Sequence, residues 1–217
     1  LLEELPTKSK DELTYHFKLK KGVHFHDDDC FPEGKGRELN ANDVIYTLKR
    51  FADMNVNTQS WFLLDEAVVG LDEFREMTKN KKGQIKYDNF DVAGIKKINS
   101  HEFTITLKQK NPIFIYSLAA SSMSIVAKEA VETYGRKFSK HPVGTGPFKL
   151  EKFRRKQTMV LTKNPDYFMT YPNEGTGEDK ENGLLNDAGK KLPLLDEVHV
   201  HFIPEAQPEM LKFKKGE

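Results

Sequence analysis

His141-Pro142-Val143-Gly144-Thr145-Gly146-Pro147-Phe148-Lys149-Leu150 is the stretch from which the fold can be read. Two glycines flank a threonine and a proline follows at once, so the backbone bends hard and is then stiffened. Gly144 and Gly146 have access to positive φ without steric cost, while Pro147 fixes its own φ and restricts Gly146 before it. From Phe148 an apolar-polar alternation begins, so the bend is expected to feed a strand. A Gly-x-Gly pair also fits a phosphate loop, but such loops open a helix whose N–H groups face the ligand. Here Pro147 withdraws a donor and the chain continues extended. A crossing point between two structural units is the expectation, with the glycines serving close backbone approach.

Around that bend, 217 residues leave room for one large domain or two small ones. Charged residues make up 31% and the apolar set 37%, the balance of a well-hydrated globular chain. Lys plus Arg (34) nearly cancel Asp plus Glu (33), which argues against a nucleic-acid binder and its basic stripe. The most apolar stretch, Ile113 to Ala127, is broken by serines and too short to span a bilayer. The lone Cys30 excludes an internal disulfide and leaves the compartment open. Leu1-Leu2-Glu3-Glu4-Leu5-Pro6 reads as mid-chain, so a trimmed piece of a longer protein is expected.

Tyr15, Phe17 and Leu19 alternate with His16, Lys18 and Lys20, which predicts a half-buried strand ended by Lys21-Gly22 and briefly resumed over Val23 to His26. Asn40 is placed to cap a helix with Asp43 in its first turn and Val44, Leu48, Phe51 and Ala52 as its apolar stripe. A second helix is expected over Phe62 to Val69, a strand over Phe103, Ile105 and Leu107, a short apolar helix or turn over Ile113 to Leu118, and a helix from Ala127 to Tyr134 stopped by Gly135. Beyond the bend, strands are expected at Phe148 to Phe153, Thr158 to Leu161 and Val198 to Phe202. Thr170 to Lys191 reads as an exposed insertion, and Glu205 to Lys214 as a helix anchored by Met210 and Phe213.

Chemistry-bearing clusters are few. His24, His26, Asp27, Asp28, Asp29 and Cys30 could place two imidazoles on one strand face for zinc or nickel, but no metal-site spacing accompanies them. His199 and His201 repeat the i, i+2 arrangement on what reads as a solvated face. Ser121-Ser122-Met123-Ser124 lacks a Gly-x-Ser-x-Gly elbow, so no catalytic residue is assigned. Trp61, the single Trp, lies at a polar-apolar junction, where a flat ring packs in the core or lines a ligand cleft.

Four segments together resemble the extracytoplasmic solute-binding proteins that serve oligopeptide, dipeptide and nickel ABC importers. Tyr15 to Asp27 (YHFKLKKGVHFHD) is similar to that family's Tyr-x-Phe-x-Leu-Arg-x-Gly-Val-x-Phe-His-Asp-Gly signature, and Leu39 to Arg50 (LNANDVIYTLKR) to its Leu-Thr-Ala-x-Asp-Val helix. Pro142 to Leu150 with Asn164 to Phe168 (PVGTGPFKL, NPDYF) resembles its Gly-Thr-Gly-Pro-Tyr strand and Asn-Pro-x-Tyr-Trp turn. Leu194 to Pro204 and Met210 to Glu217 resemble its later strand and helix. The Asp28 to Arg37 loop and the Thr170 to Lys191 insertion depart from the pattern.

The resemblance implies a mixed α+β chain of the α/β class, like part of a type II periplasmic binding protein. Residues 1–140 would form the small subdomain of the first lobe and 141–217 part of that lobe's main sheet, with the insertion at 170–191 and the second lobe missing. It also implies a non-enzymatic substrate-binding component of an ABC importer. Such a protein closes a cleft on a peptide or similar small solute and delivers it to membrane permease subunits. It would be extracytoplasmic, with or without a lipid anchor on its parent, monomeric, and without cofactor or nucleic acid. Ligand contacts are expected from Trp61, Ser121, Ser122 and Met123. A metal-chelate binder of the same transport class and a peptide or sugar hydrolase stand as alternatives.

Overall fold

The computed structural model describes residues 1–81, 83, 85–203 and 206–216, Ala206 by its backbone alone. The chain forms two compact units, Leu1–Val23 with Arg37–Glu132 and His24–Gly36 with Thr133–Glu217.

In the first unit the elements run β1 (Thr7–Lys8), β2 (Thr14–Lys18), α1 (Ala41–Ala52), α2 (Leu71–Thr78), β3 (Ile95–Lys97), β4 (Glu102–Thr106), α3 (Phe114–Leu118) and α4 (Lys128–Tyr134), the last two residues of α4 being counted with the second unit. The strands form an antiparallel sheet in the order β1-β2-β4-β3. Tyr15 pairs with Ile105 and Phe17 with Phe103, so the alternating apolar residues of both strands share one face. Phe17 and Phe103 stack in parallel at 4.9 Å between centroids. Leu19 and Leu107 extend the buried face beyond the ladder. Each such side chain contributes about 1.5–3 kcal/mol when taken out of water.

The cap of α1 forms as its sequence predicts. The Asn40 side chain accepts from the Asn42 N–H at 2.9 Å, and the Asp43 carboxylate accepts from the Asn40 N–H at 2.9 Å. Leu48, Phe51 and Ala52 are buried, whereas Val44 is only half-buried.

The second helix does not occupy Phe62 to Val69. That stretch holds a 3-10 turn, Trp61–Leu63, further turns over 64–67, and an isolated bridge from Val68 to Leu107; the helix starts at Leu71. Gly70 explains the delay. It sits at φ +80, where other residues are strained, with the Ala93 backbone 2.9 Å from where a Cβ would be. Asp72 and Glu73 then fall in the first helical turn, where the helix dipole favours acids.

In the second unit, β5 (Phe148–Arg154), β6 (Thr158–Lys163) and β7 (Glu197–His201) make an antiparallel sheet in chain order, with a bulge between Leu150 and Lys152. α5 (Gly177–Glu181) lies between β6 and β7, and α6 (Ala206–Lys215) follows. The expected insertion is largely exposed, its ends bridged from Thr170 to Lys191, and it holds α5, which its composition did not announce. Thr176 and Asp179 cap that helix reciprocally. The predicted start of the last helix at Glu205 lies outside the described residues. Met210 and Phe213 do not anchor it: they are 55% and 79% exposed, so its apolar side faces solvent.

No helix starts at Pro147; β5 begins at Phe148, as expected. The glycines act otherwise than expected. Neither Gly144 nor Gly146 takes positive φ, and a Cβ on either would meet nothing within 4 Å. Close backbone approach belongs to Gly36, where a Cβ would lie 1.9 Å from the Phe25 carbonyl oxygen. What the bend offers instead is carbonyls. Gly144 accepts from the His26 N–H at 2.8 Å, and Gly146 accepts from His26 Nε2 at 2.8 Å and Asn164 Nδ2 at 3.0 Å. Pro147 accepts from the Asn164 N–H at 2.8 Å. Val23 to His26 accordingly forms no continuous ladder: Phe25 is buried and His26 turns inward.

Candidate functional site

Cavities of different character open in the first unit. A cavity of about 360 Å³ lies where the C-terminal half of α1 faces the Val56–Ser60 loop and the 122–126 segment. Gln59, Ser60, Ser122 and Ser124 line it with donors and acceptors, and Arg50 is the sole ionisable side chain of its lining among the described residues. Two bonds hold the 121–126 segment in place: Thr47 Oγ1 accepts from the Val126 N–H at 3.0 Å, and Ser124 Oγ donates to the Ser121 carbonyl at 2.7 Å.

The four residues expected from the resemblance do not meet at one point. Ser122 lines this cavity. Trp61 follows the loop that lines it and is held edge and face: its Nε1–H donates to Asp65 at 2.9 Å, the Arg75 guanidinium lies 4.4 Å from the ring centroid, and the Phe51 ring lies 6.3 Å away. Trp61 is half-buried and outside the lining. Ser121 and Met123 line a second, apolar cavity of about 410 Å³ against Phe17, Leu48, Phe103 and Ile105, in which Met123 is buried. Arg50, Gln59, Ser60 and Ser124 escaped the sequence reading. Arg50 sits in a quoted helix motif, but its cavity is made by a segment more than seventy positions later.

A third cavity, about 660 Å³, is lined by charged side chains, several of them bonded to one another or to backbone carbonyls. Arg37 donates to both oxygens of Asp43 (2.9 and 2.7 Å) and both of Glu129 (2.7 and 2.8 Å). Lys49 donates to the Tyr87 carbonyl at 3.0 Å and the Phe90 carbonyl at 2.5 Å, and burial pushes its ammonium below the ordinary lysine range. Tyr46 beside it is pushed up to about 12, mainly by burial.

The histidine pairs do not converge on a metal. His24 is exposed while His26 is buried, and His199 sits 2.7 Å from Glu197 on the exposed face of β7. Among the described residues no group of three His, Cys, Asp or Glu side chains is placed to hold an ion. No described helix is long and apolar enough to cross a membrane.

The model of the family described as bacterial extracellular solute-binding proteins, family 5 Middle, matches residues 1–217. Di/tripeptide-binding protein 3 of Pseudomonas aeruginosa (strain UCBPP-PA14) is 28% identical over 166 residues, covering 73% of this chain and 28% of that protein. Among solved structures, a periplasmic oligopeptide-binding protein from Borrelia burgdorferi superposes with a TM-score of 0.74 at 19% identity, covering 100% of this chain and 36% of that one. The ABC transporter-associated periplasmic binding protein DppA from Helicobacter pylori, in complex with the peptide STSA, gives 0.69 at 22%, with the same coverage. At these identities the structural likeness is one of fold, a mixed α/β part of a periplasmic binding protein. The chain spans about a third or less of the length of these relatives.

Proposed function

Because this chain belongs to the bacterial extracellular solute-binding proteins of family 5, we propose that it is part of the substrate-binding component of an ABC importer. The parent binds a peptide or similar small solute outside the cytoplasm and hands it to permease subunits in the membrane. The match of the family model over residues 1–217 is the observation that carries this proposal. The family and the relatives named above are binding proteins rather than enzymes, and the parent acts by closing on its solute, which shifts an open-closed equilibrium. Residues 1–140 are assigned to the small subdomain of one lobe and 141–217 to part of its main sheet, although 24–36 and 133–140 group with 141–217 in one compact unit. The parent works as a monomer and needs no cofactor.

Within the first unit, the cavity at Arg50 is assigned to solute contact. Its hydroxyl and amide groups suit the repeating N–H and C=O of a peptide, which every sequence shares, and Arg50 suits a carbonyl or carboxylate. Ser122 is the direct contact. Trp61 shapes the adjoining loop, Met123 fixes the segment from below, and Ser121 faces the apolar cavity beside it. The test is native purification of the full-length parent and mass spectrometry of what comes with it. Peptides of mixed sequence are expected; a single metal chelate or a sugar would redirect the assignment.

A further inference from the structure

The bend before β5 is held by a titratable side chain. His26 is 7% exposed. A carbonyl oxygen can only accept, so the 2.8 Å contact with Gly146 requires the proton to sit on Nε2. In the neutral ring Nδ1 is then a bare lone pair, and it is buried with no hydrogen-bond partner. Protonation would put an N–H there with nothing to receive it, at the cost of an unsatisfied buried charged donor.

The charged groups that act on the ring oppose one another. Lys149 on β5 disfavours a second positive charge. Asp27, adjacent in the chain, favours one, but it is engaged by Lys35 at 2.8 Å and the Gly36 N–H at 3.0 Å. Burial is the largest influence and holds His26 below the ordinary imidazole range, against the Gly146 bond, which raises it.

We propose that His26 is a pH-sensitive latch on the Gly144–Pro147 bend, closed when the ring is neutral and released when it is protonated. The closed seat binds a proton less readily than an open one. Its stability is therefore full above the ordinary histidine range, near pH 6.5, and falls as pH drops through and below it. Release removes the two His26 bonds, to Gly144 and Gly146. The Asn164 bonds to Gly146 and Pro147 remain, so β5 keeps its entry point while the preceding bend loosens.

The experiment is an NMR titration of the intact protein and its His26→Gln variant from about pH 7.5 to 5, spanning the histidine range. It follows the His26 ring nitrogens and the exchange of the His26 and Asn164 backbone amides, corrected for intrinsic exchange. The expected result is an Nε2–H ring at the upper limit. Toward the lower limit, His26 amide protection should fall by about tenfold, roughly 1.4 kcal/mol, the fall beginning near pH 6.5 where a released ring protonates, while Asn164 stays protected. Glutamine can still donate to Gly146 but does not titrate, so its variant should hold position 26 protected throughout. Unchanged protection in the wild type, protection lost equally in the variant, or a ring that titrates without any loss of protection would each overturn the latch. Should the variant fail to fold, the wild-type ring and amide curves decide alone: His26 protection that falls from about pH 6.5 downward while Asn164 holds upholds it, and protection that stays level while the ring titrates overturns it.

Discussion

His26 Nε2 donates to the Gly146 carbonyl oxygen at 2.8 Å across 120 positions of sequence. Asn164 Nδ2 donates to the same oxygen at 3.0 Å. Three motifs that read as unrelated, the Phe25-His26-Asp27 run, the Gly-Thr-Gly-Pro bend and the Asn-Pro turn, are thus one hydrogen-bonded knot. The bend is shaped by what its carbonyls accept rather than by what its glycines permit.

Replacing Asn164 tests that knot from the other side. The residue is buried, and its side chain both donates to Gly146 and accepts from the Asp166 N–H at 3.1 Å. Asn164→Ala should cost about 1–3 kcal/mol, since it removes these bonds and leaves the Asp166 N–H without its acceptor. Urea unfolding of wild type and variant measures it. A cost within error of zero would mean that the Asn164 side chain does not hold the bend.

The glycines make a sharper contrast. Gly144→Ala and Gly146→Ala place a methyl in open space at ordinary φ and should range from neutral to about 1 kcal/mol stabilising, by restricting the unfolded chain. Gly36→Ala drives a Cβ to 1.9 Å from the Phe25 carbonyl oxygen and should cost more than about 3 kcal/mol or prevent folding. Thermal unfolding of the three variants side by side gives the ranking, and a reversed order would refute it.

How much of this was legible in the sequence depends on range. The strands around Tyr15, Phe103 and Phe148 and the cap at Asn40 are local patterns, and each formed where its period placed it. The helix expected at Phe62 failed because Gly70 at positive φ and the Val68–Leu107 bridge are tertiary facts that periodicity does not carry. Gly36 looked like one more loop glycine, since its demand comes from Phe25 folding back on it. The candidate site was half legible for the same reason. Ser122 lies in a segment already singled out, but Arg50 and Ser60 join it only after α1 meets the 122–126 strand of chain. Met210 and Phe213 have helical spacing, yet spacing alone did not say whether that face is covered.

The Arg37 network should govern acid stability of the first unit. Asp43 is 2% exposed and bonded by both guanidinium nitrogens, so Arg37→Met leaves a buried carboxylate without its cation. The expected cost is about 3 kcal/mol, at the low end for a broken buried pair because Arg37 itself is a third exposed. Burial alone would raise the Glu129 carboxyl, and the Arg37 bond overcomes it and holds the group below its usual range. Its contribution is thus present above the ordinary Glu range, near pH 4.3, and lost as pH falls through the depressed value. In Arg37→Met only the backbone bond to Glu129 and the Lys128 charge still oppose burial, so the acid limb of stability should move to higher pH. Identical acid limbs in a pH series of urea melts would contradict this.

Solute contact is checked in the intact parent by calorimetric titration with a peptide that co-purifies with it. Arg50→Ala should weaken binding by about 1.5–3 kcal/mol, the range for a hydrogen bond to a charged group, and Ser122→Ala by about 1 kcal/mol. Far-ultraviolet circular dichroism should stay unchanged in both. Full affinity in Arg50→Ala would remove the 360 Å³ cavity from the binding surface.

The most direct measurement is the identity of the molecule that stays bound to the parent through native purification, read by native mass spectrometry of the full-length protein and of the ligand released on unfolding. A stoichiometric population of short peptides differing in sequence is expected. A single metal chelate or sugar, or steady peptide hydrolysis during the incubation, would contradict a peptide-delivering binding protein.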